Sequence, residues 1–155
     1  DVITAVNHTE MGARTEVFLY AARRRQHLGE KVLPVLKEDG IVICDRFIDS
    51  SLVYQGIGRG IGGDNIYNMN LFATDGILPD LTIFFDVKPE VALKRITGDR
   101  EVNRLDLESL DFHHKVYEGY QMICDKFTDR IVKVDASLPV EEVYRQVYEI
   151  VKDRL

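Results

Sequence analysis

Three apolar runs in this chain each lead into an aspartate, and this pattern limits the possible folds more than any other feature. The runs are IVICD (41–45), DLTIFFDV (80–87) and RIVKVDA (130–136). The run IVIC has no polar alternation, which is typical of a strand covered on both faces. Strands that alternate with helices form βαβ units. We therefore expect an α/β fold, with a parallel sheet and helices on both faces.

The segments around the three runs carry helical signals. Apolar residues recur every three to four positions in the first of them, as expected for an amphipathic helix. Pro34 should bend or shorten the far end of that helix, and Asp39-Gly40 should close it. Pro89 and Pro139 stand at two predicted helix starts, where proline is well tolerated. The predicted helices are 14–38, 64–75, 89–97, 108–127 and 140–155.

Length and charge restrict the function classes. A chain of 155 residues is most simply one domain (1–155), large enough to bury a core. No apolar run approaches the ~20 residues of a membrane span. The formal net charge of −6 argues against a nucleic-acid polymer as partner. A small phosphorylated ligand remains compatible, because a few local arginines can hold it.

Two cysteines, Cys44 and Cys124, are the only ones in the chain. Cys44 ends an apolar run, so we expect a small buried hydrophobe there. The two cysteines form no C-x-x-C pair, which argues against a zinc site or a redox motif. Unpaired thiols suit a reducing compartment, so we expect a cytoplasmic protein.

The first candidate binding site follows the apolar run 41–45. Ligands of open α/β sheets bind beyond the carboxyl ends of the strands, and the Arg46 fork could grip a phosphate there through parallel hydrogen bonds. On a short α-helix, Ser51, Tyr54 and Gln55 would share one face. Ile48 and Leu52, also four apart, would anchor a neighbouring face to the core. The alternative is a surface ion pair, Asp45-Arg46, followed by an ordinary helix cap.

The second candidate lies on the predicted helix 14–38. Tyr20 and Arg24 are four residues apart and hence adjacent on one stripe. An aromatic ring beside a guanidinium could stack on a base and hydrogen-bond its carbonyl edge. The alternative is an amphipathic helix whose basic patch, Arg23-Arg24-Arg25, is simply solvated.

Two further segments carry patterns that could indicate phosphate binding. Residues 58–63 fit G-x-G-x-x-G, but that fingerprint must directly follow a strand and open a helix. Here a polar helix intervenes, so we expect a loop and no dinucleotide site. The segment TGDREVNRLD (97–106) places Arg100 and Arg104 four apart. They could neutralise charge from a closing loop, or pair with neighbouring carboxylates in a solvated segment.

The stretches TEVFLYAARRRQHL, DRFIDSSLVYQG and NRLD, in this order, resemble the bacterial thymidylate kinase family. The similarity runs through the whole chain, including DASLPVEEV after the last apolar run. It implies a P-loop kinase fold that transfers the ATP γ-phosphate to dTMP, giving dTDP, with Mg²⁺. It also implies a homodimer. Phe47 stands where the family more often has a tyrosine.

The resemblance implies roles for residues near the phosphates. Arg46 would hold the dTMP phosphate, with Asp45 beside it near the metal. Arg100 and Arg104 would be catalytic arginines in a lid segment, 97–107. Mg²⁺ would be held mainly by the nucleotide phosphates and the P-loop, with Asp45 in its outer shell at most, so no residue of this chain is predicted as a direct ligand.

The resemblance also implies which residues recognise dTMP and ATP. Tyr20 would stack on thymine, Arg24 would bond the base carbonyl and Ser51 would contact the base edge. Tyr54 would lie against the sugar, where a ribose 2′-hydroxyl would collide, with Gln55 nearby. The residues expected around the adenine of ATP are Arg95, Ala136 and Pro139.

One element of the family pattern is absent from the sequence. The motif G-x-x-x-x-G-K-[ST], which cradles the ATP phosphates, does not occur. We therefore expect a strand–P-loop–helix unit upstream of Asp1 in a longer parent chain, and an inactive enzyme without it. Two alternatives stay open. One is another nucleoside or nucleotide kinase of this fold; the other is a non-catalytic nucleotide-binding module, if the chain truly begins at Asp1.

Overall fold

The computed structural model describes residue 3, residues 10–96 and residues 105–154. The chain divides into two compact units, Asp1–Leu78 (unit 1) and Pro79–Leu155 (unit 2). Among the described residues, unit 1 contains only helices and their connections, whereas unit 2 contains a two-stranded parallel sheet with helices. Within these described ranges, no helix is long and apolar enough to cross a membrane.

Unit 1 is built around four fully buried aliphatic side chains, Leu28, Ile48, Val53 and Ile66. They come from different helical segments, so their packing holds the unit together. Its α-helices are α1 (Ala13–His27), α2 (Leu33–Leu36), α3 (Ile48–Ser51) and α4 (Gly63–Thr74), and its π-helical segments are Leu28–Val32 and Leu52–Gly58.

The predicted helix 14–38 is confirmed, with a wide turn in the middle. The π-helical segment Leu28–Val32 directly precedes α2, where Pro34 lacks an N–H group and the ladder is already weakened. The helix ends as expected at Asp39-Gly40. Asp39 adopts a left-handed φ of 55°, and the Gly40 N–H donates to the Val35 carbonyl at 3.0 Å. A Cβ at Gly40 would lie 2.5 Å from the Val35 side chain, so this closure requires glycine.

The predicted strand 41–45 is wrong. The segment forms no strand, and the side chains of Ile41 and Ile43 are 67% and 94% exposed. The expectation of a buried Cys44 is also wrong, because its side chain is exposed. A strand requires a neighbour that accepts and donates ladder hydrogen bonds. The described part of unit 1 offers no second strand, so apolar sequence alone does not make one here.

Unit 2 confirms the other two predicted strands. Strand β1 (Thr82–Asp86) pairs in parallel with β2 (Ile131–Asp135), in a register that places Asp86 opposite Asp135. The flanking helices α5 (Pro89–Ile96), α6 (Leu110–Lys126) and α7 (Val140–Lys152) match the predicted ones. The expected proline positions are confirmed too, since Pro89 opens α5 and Pro139 caps α7. Both strand ends therefore meet at one edge of the sheet.

Gly56 allows the second π-helical segment to approach α4 closely. A Cβ at this position would lie 3.3 Å from the Gly63 Cα and 3.5 Å from the Ile66 Cγ1. We therefore expect Gly56→Ala to lower the free energy of unfolding by about 1 kcal/mol or more, because backbone must shift to admit the methyl group. Denaturant unfolding of the protein measures the change.

Gly29→Ala is the matched control for this prediction. Gly29 also lies in a π-helical segment, but nothing stands within 4 Å of a Cβ built there. Alanine has the higher helix propensity, so this variant should be as stable as the wild type, or more stable by roughly 0.5–1 kcal/mol. Equal losses in the two variants would contradict the packing argument.

Candidate active site

Arg46 stands in unit 1, directly before α3, in a strained backbone conformation. Its φ of 67° is left-handed, which costs a non-glycine residue roughly 1–2 kcal/mol. Its Nε donates to the Ser50 Oγ at 3.0 Å, and its guanidinium lies 4.3 Å from the centre of the Tyr54 ring. The side chain is nevertheless exposed, as is that of Asp45 beside it. The guanidinium is thus oriented while it faces solvent.

Arg24 connects three parts of unit 1. From α1, its guanidinium donates to the Asn70 Oδ1 on α4, to the Phe47 carbonyl at 3.2 Å and to the Ser51 Oγ at 3.0 Å. The guanidinium also lies 5.3 Å from the centre of the Phe47 ring. The structure therefore brings together Arg24 and Ser51, which sequence reasoning had assigned to the same base.

Burial sets the electrostatics of Arg24. Loss of solvent lowers the pKa of its guanidinium to about 10, while the nearby Asp49 carboxylate and Tyr20 oppose the shift. The group remains charged at neutral pH. A charged donor in a partly dry setting bonds a carbonyl more strongly than the same donor in water. Tyr20, one turn before it on α1, is half-buried.

Asn70 takes part in this cluster, although its sequence context did not indicate it. It is 2% exposed; its Nδ2 donates to the Ile66 carbonyl at 2.7 Å and its Oδ1 accepts from Arg24. The bond to its own helix fixes which way the amide points, so the oxygen faces the arginine. Helix α4 holds three asparagines, Asn65, Asn68 and Asn70, so its sequence does not single out the one that binds Arg24.

Gln55 departs from the predicted arrangement. An α-helix would have placed it on one face with Ser51 and Tyr54, but the chain is π-helical from Leu52 to Gly58. Gln55 is buried and its Nε2 donates to the Glu16 Oε1 at 2.6 Å.

Glu16, which sequence reasoning also missed, lies four residues before Tyr20 and eight residues before Arg24. That spacing placed all three on one stripe of α1 and was a usable signal. The predicted burial of Ile48 and Leu52 is confirmed.

A second cluster lies in unit 2, after β2. The Arg95 guanidinium donates to the Ala136 carbonyl at 2.7 Å and to the Ser137 carbonyl at 3.2 Å. The Asp135 carboxylate accepts from the Ser137 N–H at 2.9 Å and from its Oγ at 2.5 Å, and these bonds lower the pKa of Asp135. Two of the residues predicted around adenine, Arg95 and Ala136, are therefore in contact, and Pro139 begins the next helix.

Arg100 and Arg104 lie outside the described residues. In the parts of the chain that the structure does describe, no group of three His, Cys, Asp or Glu side chains could hold a metal ion. Asp45 is a single exposed carboxylate beside Arg46.

Comparison with known proteins identifies the family of this chain. The family described as "Thymidylate kinase" matches residues 1–147. The thymidylate kinase of Geobacillus sp. (strain WCH70) is 54% identical over 99% of this chain and 74% of its own length. Those of Clostridium novyi (strain NT) and Bacillus cereus (strain ATCC 14579) are each 55% identical, over 98% and 96% of this chain. The chain spans 75% and 72% of these two relatives.

Identity at this level, over nearly the whole chain, is far above what a shared fold alone produces. The family implies a P-loop NTPase fold, and the parallel strands β1 and β2 with their flanking helices are consistent with it. The chain belongs to the thymidylate kinase family.

Proposed function

We propose that the protein containing this chain transfers the γ-phosphate of ATP to dTMP, giving dTDP. Membership of the family makes it an ATP-dependent nucleoside monophosphate kinase. The observation that carries the proposal is the pair of oriented guanidinium groups in unit 1. Arg46 is held over Tyr54 and faces solvent, and Arg24 is held by Asn70 and Ser51. Arg46 suits a phosphate and Arg24 suits a base carbonyl.

In this proposal, dTMP is held at its phosphate and at its base. The Arg46 fork grips the dTMP phosphate through charge-assisted hydrogen bonds, while Tyr20 stacks on thymine and Arg24, with Ser51, reads the base edge. Tyr54 stands between them and lies against the sugar, where it excludes a 2′-hydroxyl. Phosphoryl transfer requires little covalent chemistry from the protein, so positioning and charge neutralisation are its main tasks.

The donor side rests on unit 2 and on residues proposed from sequence alone. Arg95, Ala136 and Pro139 are proposed to surround the adenine, supported by the hydrogen bonds that tie Arg95 to the loop after β2. Arg100 and Arg104 are proposed to act as catalytic arginines from the lid segment 97–107. Mg²⁺, held mainly by the nucleotide phosphates, would neutralise the charge that develops during phosphoryl transfer. Asp45 would stand beside it without binding it directly.

Three broader features belong to the same proposal. The chain would act as one kinase domain, 1–155, in the cytoplasm and as a homodimer. Cys44 and Cys124 form no disulfide with each other, which supports a reducing compartment. Exposed aromatic residues on two helices that pack together, Phe18 on α1 and Phe72 on α4, support a surface for a second copy.

Substrate selectivity tests the proposed function. In a coupled ADP-release assay, the protein that contains this chain should phosphorylate dTMP with a kcat/KM at least about a hundredfold above those for dCMP, dGMP and UMP. A polar site rejects dCMP and dGMP, whose bases present the wrong hydrogen-bonding edge, by this order or more. UMP carries the same edge as dTMP and is expected to be rejected through its 2′-hydroxyl, which would collide with Tyr54. Equal rates on all four would contradict the thymidylate assignment and favour a different nucleotide kinase of the same fold.

A further inference from the structure

Glu16 carries a buried carboxylate that the proposed mechanism does not use. The side chain is 1% exposed, although it lies in the first turn of α1. Its Oε1 accepts from the Gln55 Nε2 at 2.6 Å, and its Oε2 lies 3.5 Å from a guanidinium nitrogen of Arg59. Both partners come from the chain after α3, so one carboxylate holds two points of the same segment.

Burial of a carboxylate at this position contributes little to the free energy of folding. Taking a charge out of water costs several kcal/mol, and buried ion pairs often contribute less than a well-packed apolar residue of the same size. The best-attested use of such a pair is to specify one geometry among several. The geometry to be specified here is that of the segment that contains Gln55 and ends directly before Arg59.

That segment is the π-helical turn Leu52–Gly58, which carries Tyr54. The Arg59 N–H donates to the Tyr54 carbonyl at 2.9 Å, a wide i to i+5 bond. Short π-helical stretches are less favourable than α-helix and persist mostly at functional sites. Tyr54 in turn lies under the Arg46 guanidinium, 4.3 Å from its ring centre. The position of the ring thus depends on a turn that could relax into a tighter helix.

We propose that Glu16 is a positioning residue of the acceptor site: by holding Gln55 and Arg59, it keeps the turn Leu52–Gly58 wide and so fixes Tyr54 against the acceptor sugar. The inference rests on the proposed function, because it assigns Glu16 a part in preferring a deoxyribose over a ribose. It also gives Arg59 a role. Arg59 lies in the glycine-rich stretch 58–63, and its part there is to hold the Glu16 carboxylate.

The test compares dTMP with its ribose counterpart, ribothymidine monophosphate. In the full-length protein, Glu16→Gln keeps the size of the side chain and one acceptor oxygen but removes the charge that faces Arg59. We expect the ratio of kcat/KM for the deoxy over the ribo substrate to fall about tenfold. The change should lie in the KM for dTMP, with the KM for ATP unchanged, because the altered ring touches only the acceptor. An effect of this size is usual for one mispositioned buried contact.

Two further variants make the test decisive. Glu30→Gln makes the same chemical change at an exposed position of the same helical stretch and should leave the ratio as in the wild type. Arg59→Gln, combined with Glu16→Gln, removes both charges and should restore part of the lost ratio.

The outcomes separate the inference from the proposed function. A lower melting temperature for Glu16→Gln with an unchanged deoxy-to-ribo ratio would overturn the inference, since Glu16 would then act on stability alone. So would an equal fall in the ratio for Glu30→Gln. If the wild type itself fails to phosphorylate dTMP, the proposed function fails first, whatever the variants do.

Discussion

Replacing Arg46 with alanine should weaken dTMP binding at least about a hundredfold. Hydrogen bonds to charged groups contribute about 1.5–3 kcal/mol each, and a guanidinium fork supplies two to one phosphate, so the loss exceeds the 2.7 kcal/mol that a hundredfold represents. Calorimetry with dTMP measures it. Thymidine, which lacks the phosphate, should bind the variant and the wild type equally. A similar loss for both ligands would contradict a phosphate-specific role.

Arg46→Gly adds a second readout, because the backbone there is left-handed. Glycine adopts this conformation without strain, whereas alanine does not. We therefore expect the glycine variant to be about 1 kcal/mol more stable than the alanine variant while it binds dTMP equally poorly. Such a result would indicate that the arginine is kept for its ligand at a cost in stability, the pattern expected of strain at functional sites. Equal stability of the two variants would argue that the strain is absent.

Replacing Arg24 with alanine should reduce selectivity for the base. The variant leaves a base carbonyl without its donor, at a cost of ~1–3 kcal/mol, so the preference for dTMP over dCMP in kcat/KM should fall about tenfold or more. The melting temperature should fall as well, because the Asn70 oxygen, inside a residue only 2% exposed, loses its partner. Steady-state kinetics with both substrates measures the first effect and thermal unfolding the second.

Arg25→Ala is the natural control for Arg24→Ala. Arg25 is the next residue on α1, but it pairs with Asp75 at 2.6 Å on the surface, where the two side chains are 51% and 66% exposed. Exposed pairs contribute at most about 1 kcal/mol, so selectivity should stay as in the wild type. The double variant Arg24→Ala/Asn70→Ala should regain part of the stability and none of the selectivity. Wild-type dTMP kinetics in Arg24→Ala would refute the base-reading role.

The helices and two of the three strands could be predicted because their signals are local. Pro89 and Pro139 mark helix starts, and Asp39-Gly40 closes a helix through one backbone conformation and one close contact. The run 41–45 carries the same apolar signal as β1 and β2 but forms no strand. Its outcome depends on a pairing partner, which is a property of the tertiary structure and not of the run itself.

The site also combines residues with local sequence signals and residues whose roles depend on tertiary contacts. Spacing and chemistry mark Tyr20, Arg24 and Arg46 as candidates, while their roles are predictions that the family resemblance implies. The role of Gln55 does not, because an α-helical face was assumed where the chain makes a wide turn, and that turn depends on contacts with Glu16 across 39 positions of sequence. Asn70 was missed for the related reason that an asparagine inside a helix has no meaning until its partner is known.

The most direct test of this account is a crystal structure of the protein with dTMP bound. The account predicts two nitrogens of the Arg46 guanidinium within about 3 Å of the phosphate oxygens, with the pyrimidine lying over Tyr20 and its carbonyl facing Arg24. A structure in which dTMP is bound elsewhere, with Arg46 directed into solvent and far from the nucleotide, would contradict it.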